Sequence, residues 1–284
     1  VSRAGTPPLV LDPHLHAQTR IAIDAKTYED VMAIDARFAL RTSSIEGAHV
    51  IELVDTTTEH ATRIGTTTSY HLRFEPATNL LAIAGNHVAS YDPQTHAFAA
   101  PKLLPVSGEI YLVDPALADG LEAIVIAPYQ THFQVHELDR TLAVTRTYEV
   151  DGDVIQVDRA GRVYVATGSE IHVYASAKRV VTLPVAGEHP IVAVDPETTR
   201  AIVIGDQKLM LFDLDGRERW AIPQHTAIDV MWDSGEPVVR FASGLARLDI
   251  HTGRLRERAC GWDFELRATP PEGPGSSESV CDAE

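Results

Sequence analysis

An apolar strand that runs into an acidic residue and then a turn recurs six times along this chain of 284 residues. Apolar and polar residues alternate with the same phase in every copy, as in strands with one fixed buried face. Successive copies are 37 to 44 residues apart. The acidic residues, called the anchor acids below, are Asp35, Glu75, Asp114, Asp158, Asp195 and Asp233. A period of this length without helical patterning predicts one small β-sheet per copy, repeated around an axis.

A second apolar residue followed by Asp comes 16 to 25 residues after each anchor acid, except that the fourth copy has Tyr174-Ala175. These aspartates are Asp55, Asp92, Asp139, Asp213 and Asp249. Asp at the first position of a turn can accept hydrogen bonds from backbone N–H groups two residues on, so each predicts a hairpin. The two columns together predict four strands per copy. In the fifth copy we expect them at 191–194, 201–204, 209–212 and 219–222.

The predicted fold is an all-β β-propeller with six or seven four-stranded blades. We expect one propeller domain over residues 1–267. A flexible tail over 268–284 should follow, because this segment is rich in Pro, Gly, Ser and Glu and cannot bury much surface. The complete repeats are expected at about 29–66, 67–106, 107–150, 151–186, 187–223 and 224–260.

Residues 1–28 resemble a partial blade. Leu9-Val10-Leu11-Asp12 matches a third strand with its Asp, and Thr19–Ile23 matches the outer strand after it. Trp262–Arg267 is the C-terminal candidate to complete this blade, since open sheet edges invite association. The chain opens within a repeat at Val1, which suggests one module of a larger protein.

The chain is acidic, with 24 basic and 40 acidic residues and a net charge of −16. An acidic surface repels phosphate backbones, so nucleic acid is not expected as a partner. The densest basic run, Arg254, Arg256 and Arg258, alternates along a predicted outer strand and is interpreted as a solvated edge. No apolar run approaches the roughly 20 residues that a membrane-spanning helix needs, so no membrane span is predicted.

The two cysteines leave the cellular compartment open. Cys260 ends the last repeat, and Cys281 is the fourth residue from the end of the chain. A disulfide between them would close a loop of about 20 residues, stabilise the fold by roughly 3 kcal/mol and indicate an oxidising compartment. Two unpaired thiols would instead favour the cytoplasm.

Thirteen histidines call for a test of metal binding. His14 and His16 would lie about 6.6 Å apart on one face of an extended segment, but they follow Asp12 in a predicted turn. His132 and His136 would be about 13 Å apart along a strand, so they are poor joint ligands. Asp151-Gly152-Asp153 lacks the further oxygen ligands of a calcium loop and is interpreted as a tight turn. We therefore predict no catalytic, cofactor-binding or metal-binding residue.

The turn Asp249–Gly253 has the sequence Asp-x-x-Thr-Gly, and Val-Asp-Pro occurs at both Val113–Pro115 and Val194–Pro196. These elements resemble the repeats of the PQQ-like and WD40-like propeller superfamily over about residues 29–260. The Trp-Asp pair of WD40 repeats closes the third strand, whereas Trp232-Asp233 lies elsewhere in its repeat. The tryptophan docking motifs of quinoproteins are also missing, so quinone binding is not expected.

Propellers serve as binding platforms, enzymes and scaffolds, so the fold alone does not define the function. The sequence favours a protein-binding or sensor platform over an enzyme. Loops on one face of the ring and the central channel would recognise a protein partner, and the longest such loop is Asp114–Leu121. The alternative is a metal-dependent propeller hydrolase or lactonase, with acidic and His side chains converging on a metal in the channel.

Overall fold

The computed structural model describes residues 9–11, 17–20, 28–34, 37–45, 48–58, 60–67, 73–83, 86–185, 190–223, 227–233, 235–241, 244–260 and 265–266. Every regular element in these residues is a β-strand. The chain divides into two compact units, the first formed by residues 1–10, 18–150 and 159–161 and the second by residues 11–17, 151–158 and 162–284. Several residues singled out above lie outside the described part of the chain: Asp12, His14, His16, Asp35, Cys281 and the predicted tail.

Near the N-terminus, two short strands pair with each other. β1 (Leu9–Leu11) and β2 (Ala17–Arg20) form a two-stranded sheet. The first strand coincides with the predicted one, and the second overlaps the predicted segment Thr19–Ile23.

In its described residues, the first unit contains three antiparallel sheets of strands that are consecutive in the chain. The first sheet consists of β3 (Tyr28–Ala33), β4 (Phe38–Ile45), β5 (Ala48–Asp55) and β6 (Ala61–Thr67). The second consists of β7 (Arg73–Glu75), β8 (Leu80–Ile83), β9 (His87–Asp92) and an outer strand divided into β10 (Ala97–Phe98) and β11 (Lys102–Leu103). The third consists of β12 (Glu109–Leu112), β13 (Leu121–Tyr129), β14 (His132–Asp139) and β15 (Val144–Val150).

The described residues of the second unit form three further antiparallel sheets. The fourth sheet consists of β16 (Asp153–Val157), β17 (Val163–Thr167), β18 (Glu170–Ala175) and β19 (Lys178–Pro184). The fifth consists of β20 (Ile191–Val194), β21 (Arg200–Ile204), β22 (Lys208–Asp213) and β23 (Glu218–Pro223). The sixth consists of β24 (Ala227–Asp233), β25 (Glu236–Phe241), β26 (Gly244–Leu248), β27 (Leu255–Cys260) and β28 (Glu265–Leu266). The strands predicted for the fifth copy are confirmed, because each begins and ends within one residue of its expected position.

The last strand corrects one expectation about the chain end. β28 pairs with β27, with Leu266 opposite Ala259 and Glu265 opposite Cys260. The prediction that Trp262–Arg267 completes the N-terminal partial blade is therefore wrong for its two described residues. Consecutive strands usually pair, and the free edge of β27 is the edge that the chain reaches first. The single domain over residues 1–267 stays a prediction.

The middle strands of the fifth sheet are buried on both faces. In β21, Ile202 and Ile204 pack into an apolar cluster with residues of the sixth sheet. Ala201 and Val203 point the other way and pack into a cluster with residues of the fourth sheet. Because side chains alternate along a strand, a strand between two layers needs apolar residues at successive positions. This requirement explains the uninterrupted apolar runs of the middle strands.

The first strands of the three sheets in the second unit lie next to one another, because β16 contacts β20 and β20 contacts β24. A hydrogen bond joins β24 to β20 directly, since the indole N–H of Trp232 donates to the carbonyl of Ala193 at 3.0 Å. We call the side where these strands finish the anchor end, after its acids Asp158, Asp195 and Asp233. The opposite side, where these strands begin, is called the patch end, after the exposed apolar side chains near the starts of β20 and β24. Antiparallel pairing puts the turns between second and third strands at the patch end and those between third and fourth strands at the anchor end.

Candidate binding surface

Asp158 is buried at the anchor end, and both of its carboxylate oxygens accept hydrogen bonds. Oδ1 accepts from the backbone N–H of Arg162 at 2.9 Å, and Oδ2 accepts from Arg162 Nε at 2.7 Å and from the hydroxyl of Tyr164 at 3.1 Å. Arg162 also donates through Nη2 to the carbonyl of Thr198 at 2.6 Å. That carbonyl belongs to the turn after β20. Asp158 therefore holds the turn that follows β16, and Arg162 links that turn to the fifth sheet.

The other two anchor acids of this unit have similar partners. Asp195 Oδ1 accepts from the backbone N–H groups of Thr199 at 2.6 Å and Arg200 at 3.1 Å, and Oδ2 accepts from the Thr199 hydroxyl at 2.7 Å. Asp233 pairs with Arg247, whose side chain is buried. The interpretation of the anchor acids as turn formers is confirmed at Asp158 and Asp195.

In the first unit, Arg159 donates hydrogen bonds to two anchor acids, Glu75 and Asp114. Glu75 and Asp114 each accept a hydrogen bond from the backbone N–H two residues on, at 3.0 and 2.9 Å. Arg159 donates through Nε and Nη2 to Glu75 at 3.1 and 2.8 Å, and through Nη2 to Asp114 at 3.1 Å. Glu75 and Arg159 are 84 residues apart, so the sequence carries no local signal for this contact.

The predicted recognition loop Asp114–Leu121 is a compact turn. The backbone N–H groups of Leu117 and Ala118 donate to the carbonyl of Asp114 at 2.9 and 2.8 Å. Ala118 is buried, whereas Leu117 is exposed. Single exposed leucines are common on protein surfaces, so this loop provides no distinct apolar surface.

Asp249 shows how the aspartates after the third strands work. Its Oδ1 accepts from the backbone N–H groups of His251 at 3.0 Å and Thr252 at 2.9 Å, and Arg256 Nε donates to Oδ2 at 3.0 Å. The hydrogen bond from Arg256, aided by those from the turn, lowers the pKa of Asp249 to about 2. Asp55, Asp92 and Asp139 do the same: each carboxylate accepts a hydrogen bond from the backbone N–H of the residue two positions later. The hairpin prediction is confirmed at these four positions.

Three large apolar side chains on the first strands of the fifth and sixth sheets are exposed. Ile191 is 36% exposed, Ile228 45% and Met231 41%. Their strand neighbours Val192 and Val230 are buried in the core. We call Ile191, Ile228 and Met231 the patch. Because β20 and β24 contact each other, the three exposed side chains lie on adjoining strands.

A β-bulge exposes the middle residue of the patch. In the pairing of β24 with β25, Ala227 lies opposite Phe241 and Asp229 lies opposite Arg240, so Ile228 has no residue opposite it. A bulge adds one residue to one strand and redirects the side chain there. Ile228 is thereby released from the alternation that buries Val230.

Acidic side chains outnumber basic ones around the patch. At the strand starts and second-to-third turns described for the patch end, the charged residues are the acids Asp151, Asp153, Glu170, Asp206 and Asp229 and the bases Lys208 and Arg240. Asp229 pairs with Arg240 at 3.6 Å, and Glu170 contacts His172 at 3.0 Å. Asp153 and Asp206 are exposed and have no salt-bridge partner within the described part of the chain.

Neither the family models nor the curated proteins compared with this chain gave a match. Solved structures are similar to it. The CNH domain of AfRom2 has a TM-score of 0.59 at 10% identity, over 83% of this chain and 85% of that one. The β-propeller domain of the Trilobed protease from Pyrococcus furiosus has a TM-score of 0.53 at 10% identity, over 87% and 83%. The Dos1 propeller has a TM-score of 0.54 at 10% identity, over 79% and 67%.

The fold is a β-propeller. The predicted fold class is confirmed, with six sheets of at least four strands in the described residues. At identities near 10%, the likeness concerns the fold alone, so the resemblance to propeller repeats is supported at that level and no further.

Two other sequence candidates, a pair of histidines and a turn, lie in the described residues. His132 and His136 lie in one strand, β14, as the spacing predicted. His136 Nδ1 lies 2.9 Å from the hydroxyl of Thr147, and burial lowers the pKa of His136. The turn at Asp151–Asp153 is confirmed: Gly152 has φ +115°, and a Cβ on it would lie 2.4 Å from a backbone oxygen of Ala166.

The basic run on the outer strand of the sixth sheet is not simply solvated. Arg256 pairs with Glu236 at 2.7 Å and also with Asp249, so its charge is used within the sheet. The strand edge is covered too, because β28 pairs with the end of β27. Arg256 is exposed, as the interpretation predicts, and the structure adds that its charge is paired.

The described residues hold neither a cluster of metal ligands nor a membrane-spanning helix. Within them, no group of three or more His, Cys, Asp or Glu side chains is arranged to hold a metal ion. They also contain no helix with the length and apolar character that a bilayer span requires.

Sequence reasoning missed the patch. Ile228 lies five residues before Asp233 and therefore shares the phase of the core-facing residue Val230, so the pattern predicts its burial. Ile191 and Met231 lie four and two residues before their anchor acids, in the phase opposite to the core-facing residues, so strict alternation was an available signal for their exposure.

Proposed function

We propose that this propeller is a protein-binding platform and that its partner docks on the patch. The observation that carries the proposal is the exposure of Ile191, Ile228 and Met231 on two contacting strands. Exposed apolar groups that adjoin each other mark interaction surfaces more often than scattered ones do. The membership of the repeats in the PQQ-like or WD40-like group, and a place in a larger protein, stay predictions.

The cost of exposing the patch supports a role in binding. Burying a side chain of this size contributes about 1.5–3 kcal/mol through the hydrophobic effect. Because each of the three is already more than half buried, a partner that covered all of them would gain about 2–4 kcal/mol before the losses of association. Residues of this kind form the desolvated centre of protein interfaces, where charged groups are depleted.

Affinity capture with matched variants tests the proposal. The tagged chain is compared with an Ile191→Ser and Ile228→Ser double variant and with a Val180→Ser control. Val180 is 51% exposed but lies on the outer strand β19 of the same unit. We expect one stoichiometric protein that the wild type and the Val180→Ser variant retain equally and the double variant loses. Equal retention by all three, with the double variant still folded by circular dichroism, would overturn the proposal.

A further inference from the structure

We infer that the patch end recognises a cationic segment of a protein partner, one in which Lys or Arg residues flank apolar side chains. This inference rests on the proposed binding function and adds the chemistry of the ligand to it. Two independent features of the same surface carry it, namely the exposed patch and the excess of acid around it.

The acids frame the patch because of where the strands begin. Ile191 is the first residue of β20 and pairs with Ile204, directly before the turn that contains Asp206 and Lys208. Asp153 is the first residue of β16, which contacts β20. The exposed isoleucine is thus flanked by acids from its own sheet and from the neighbouring one.

The second isoleucine has an acid next to it in the chain. Asp229 follows Ile228, and its carboxylate accepts a hydrogen bond from the N–H of Val230 at 2.9 Å. Its partner Arg240 lies 3.6 Å away, and both side chains are more than one third exposed. An exposed ion pair at this distance contributes little to stability, so an incoming cation can compete for Asp229 at small cost.

The acids at the patch end differ from the acids that hold the fold. Asp158 and Asp195 bind backbone N–H groups and side chains of their own sheets. Asp153 and Asp206 make no such contact within the described residues, and both are exposed. Exposed, unneutralised acids around an apolar surface attract basic ligands and speed their encounter.

The same charges exclude other macromolecules. The whole chain carries a charge of −16, and the first-strand starts and second-to-third turns of the patch end carry five acids against two bases. Phosphate backbones and anionic lipid surfaces would meet repulsion here. A purely apolar partner would leave the acids unpaired and would desolvate some of them. A segment with both cationic and apolar side chains satisfies both parts of the surface.

Fluorescence anisotropy with three labelled peptides tests the inference. In the first peptide lysine alternates with leucine, in the second glutamate replaces every lysine, and in the third serine replaces every leucine. The full chain should bind the first peptide at least about tenfold more tightly than either of the others. Its affinity should fall as salt rises, since exposed charges are screened.

Charge-matched variants separate a local site from general attraction to an acidic protein. The patch-end variant carries Asp153→Asn and Asp206→Asn, and the anchor-end control carries Glu197→Gln and Asp215→Asn at exposed positions. Both lose two negative charges. We expect affinity for the lysine–leucine peptide to fall about fivefold in the first variant and less than about twofold in the second.

Each outcome bears on the inference. Equal binding of the glutamate peptide, or equal losses in the two charge variants, would overturn it. Loss of the captured protein partner in the Ile191→Ser and Ile228→Ser variant, together with equal losses in the two charge variants, would leave the proposed function standing and remove only the cationic ligand. Peptide selectivity confined to the patch-end acids would support both.

Discussion

The anchor end and the patch end of the second unit use acidic residues in opposite ways. At the anchor end, Asp158 and Asp195 are buried and bind backbone N–H groups together with arginine or threonine side chains. At the patch end, Asp153 and Asp206 are exposed beside isoleucines that are also exposed. These two anchor acids thus hold turns, whereas the patch end presents exposed charge and exposed apolar side chains together.

This difference separates stability from recognition within the same three sheets. A buried carboxylate must be fully hydrogen-bonded, so its surroundings cannot change without a loss of stability. An exposed carboxylate has no such constraint, and its charge remains available to a ligand. The comparison predicts that substitutions at the anchor end change unfolding and that those at the patch end change binding.

The largest effect should come from removing a buried anchor acid. Asp158→Ala leaves the hydroxyl of Tyr164 and the Nε group of Arg162 without their acceptor. Loss of one partner of a buried charge pair costs about 3–5 kcal/mol, and we expect a loss near 3 kcal/mol because Arg162 is partly exposed. Urea denaturation followed by circular dichroism measures it.

The matched substitution at the patch end is Asp206→Ala. It should change the free energy of unfolding by less than about 0.5 kcal/mol, as for most exposed positions. If the two substitutions destabilised the protein equally, the division between the two ends would fail.

Two glycines with nearly the same φ angle lie at opposite ends of the second unit's sheets. Gly253 at the anchor end has φ +69°, and Gly168 in a patch-end turn has φ +68°. A Cβ on Gly253 would lie 2.9 Å from the ring of Trp220, whereas a Cβ on Gly168 would meet nothing within 4 Å. Trp220 cannot move freely, since its indole N–H donates to the carbonyl of Ile250 at 3.0 Å.

Gly168→Ala should therefore cost about 1 kcal/mol from the left-handed backbone alone. Gly253→Ala should cost about 1–3 kcal/mol more, because it also overpacks the core. Thermal unfolding of both variants measures the difference. Equal losses would mean that Trp220 yields without cost, and the anchor end would then be less rigid than its contacts indicate.

The sequence was sufficient for the strands of the fifth sheet because burial on both faces demands long apolar runs between turn residues. It was sufficient for the anchor turns too, since Asp195 and the backbone groups it binds are close in the chain. Contacts between distant segments leave no such trace. The pairing of Arg159 with Glu75 joins distant segments, and the exposure of Ile228 depends on a bulge in the pairing of β24 with β25; the local pattern encodes neither.

A smaller effect concerns how the stability of the anchor end depends on pH. Asp249 has a pKa of about 2 in the folded chain against an ordinary value of 3.8. A lowered pKa means that its carboxylate stabilises the fold above about pH 4, and that this contribution is lost as pH falls through about 2. Asp249→Asn should therefore destabilise the protein by roughly 0.5 kcal/mol at pH 7, with the deficit shrinking below pH 4.

Urea titrations between about pH 2 and 7 measure this deficit. Arg256→Gln serves as the control, because the hydrogen bond from Arg256 is the largest cause of the low pKa of Asp249. It should remove most of the same pH dependence. A deficit that stayed constant to pH 2 would show that the carboxylate charge is not what holds this turn.

The smallest effect should come from the patch itself. Ile228→Ser and Met231→Ser remove apolar atoms that already contact solvent, so each should change the free energy of unfolding by less than about 0.5 kcal/mol. Val230→Ser changes the residue between them, which is 6% exposed and packs in the core, and it should cost about 2 kcal/mol or more. The three variants, compared by urea denaturation, place the boundary between core and binding surface within one strand. If Ile228→Ser destabilised the protein as much as Val230→Ser, Ile228 would belong to the core. The patch would then no longer support a binding surface.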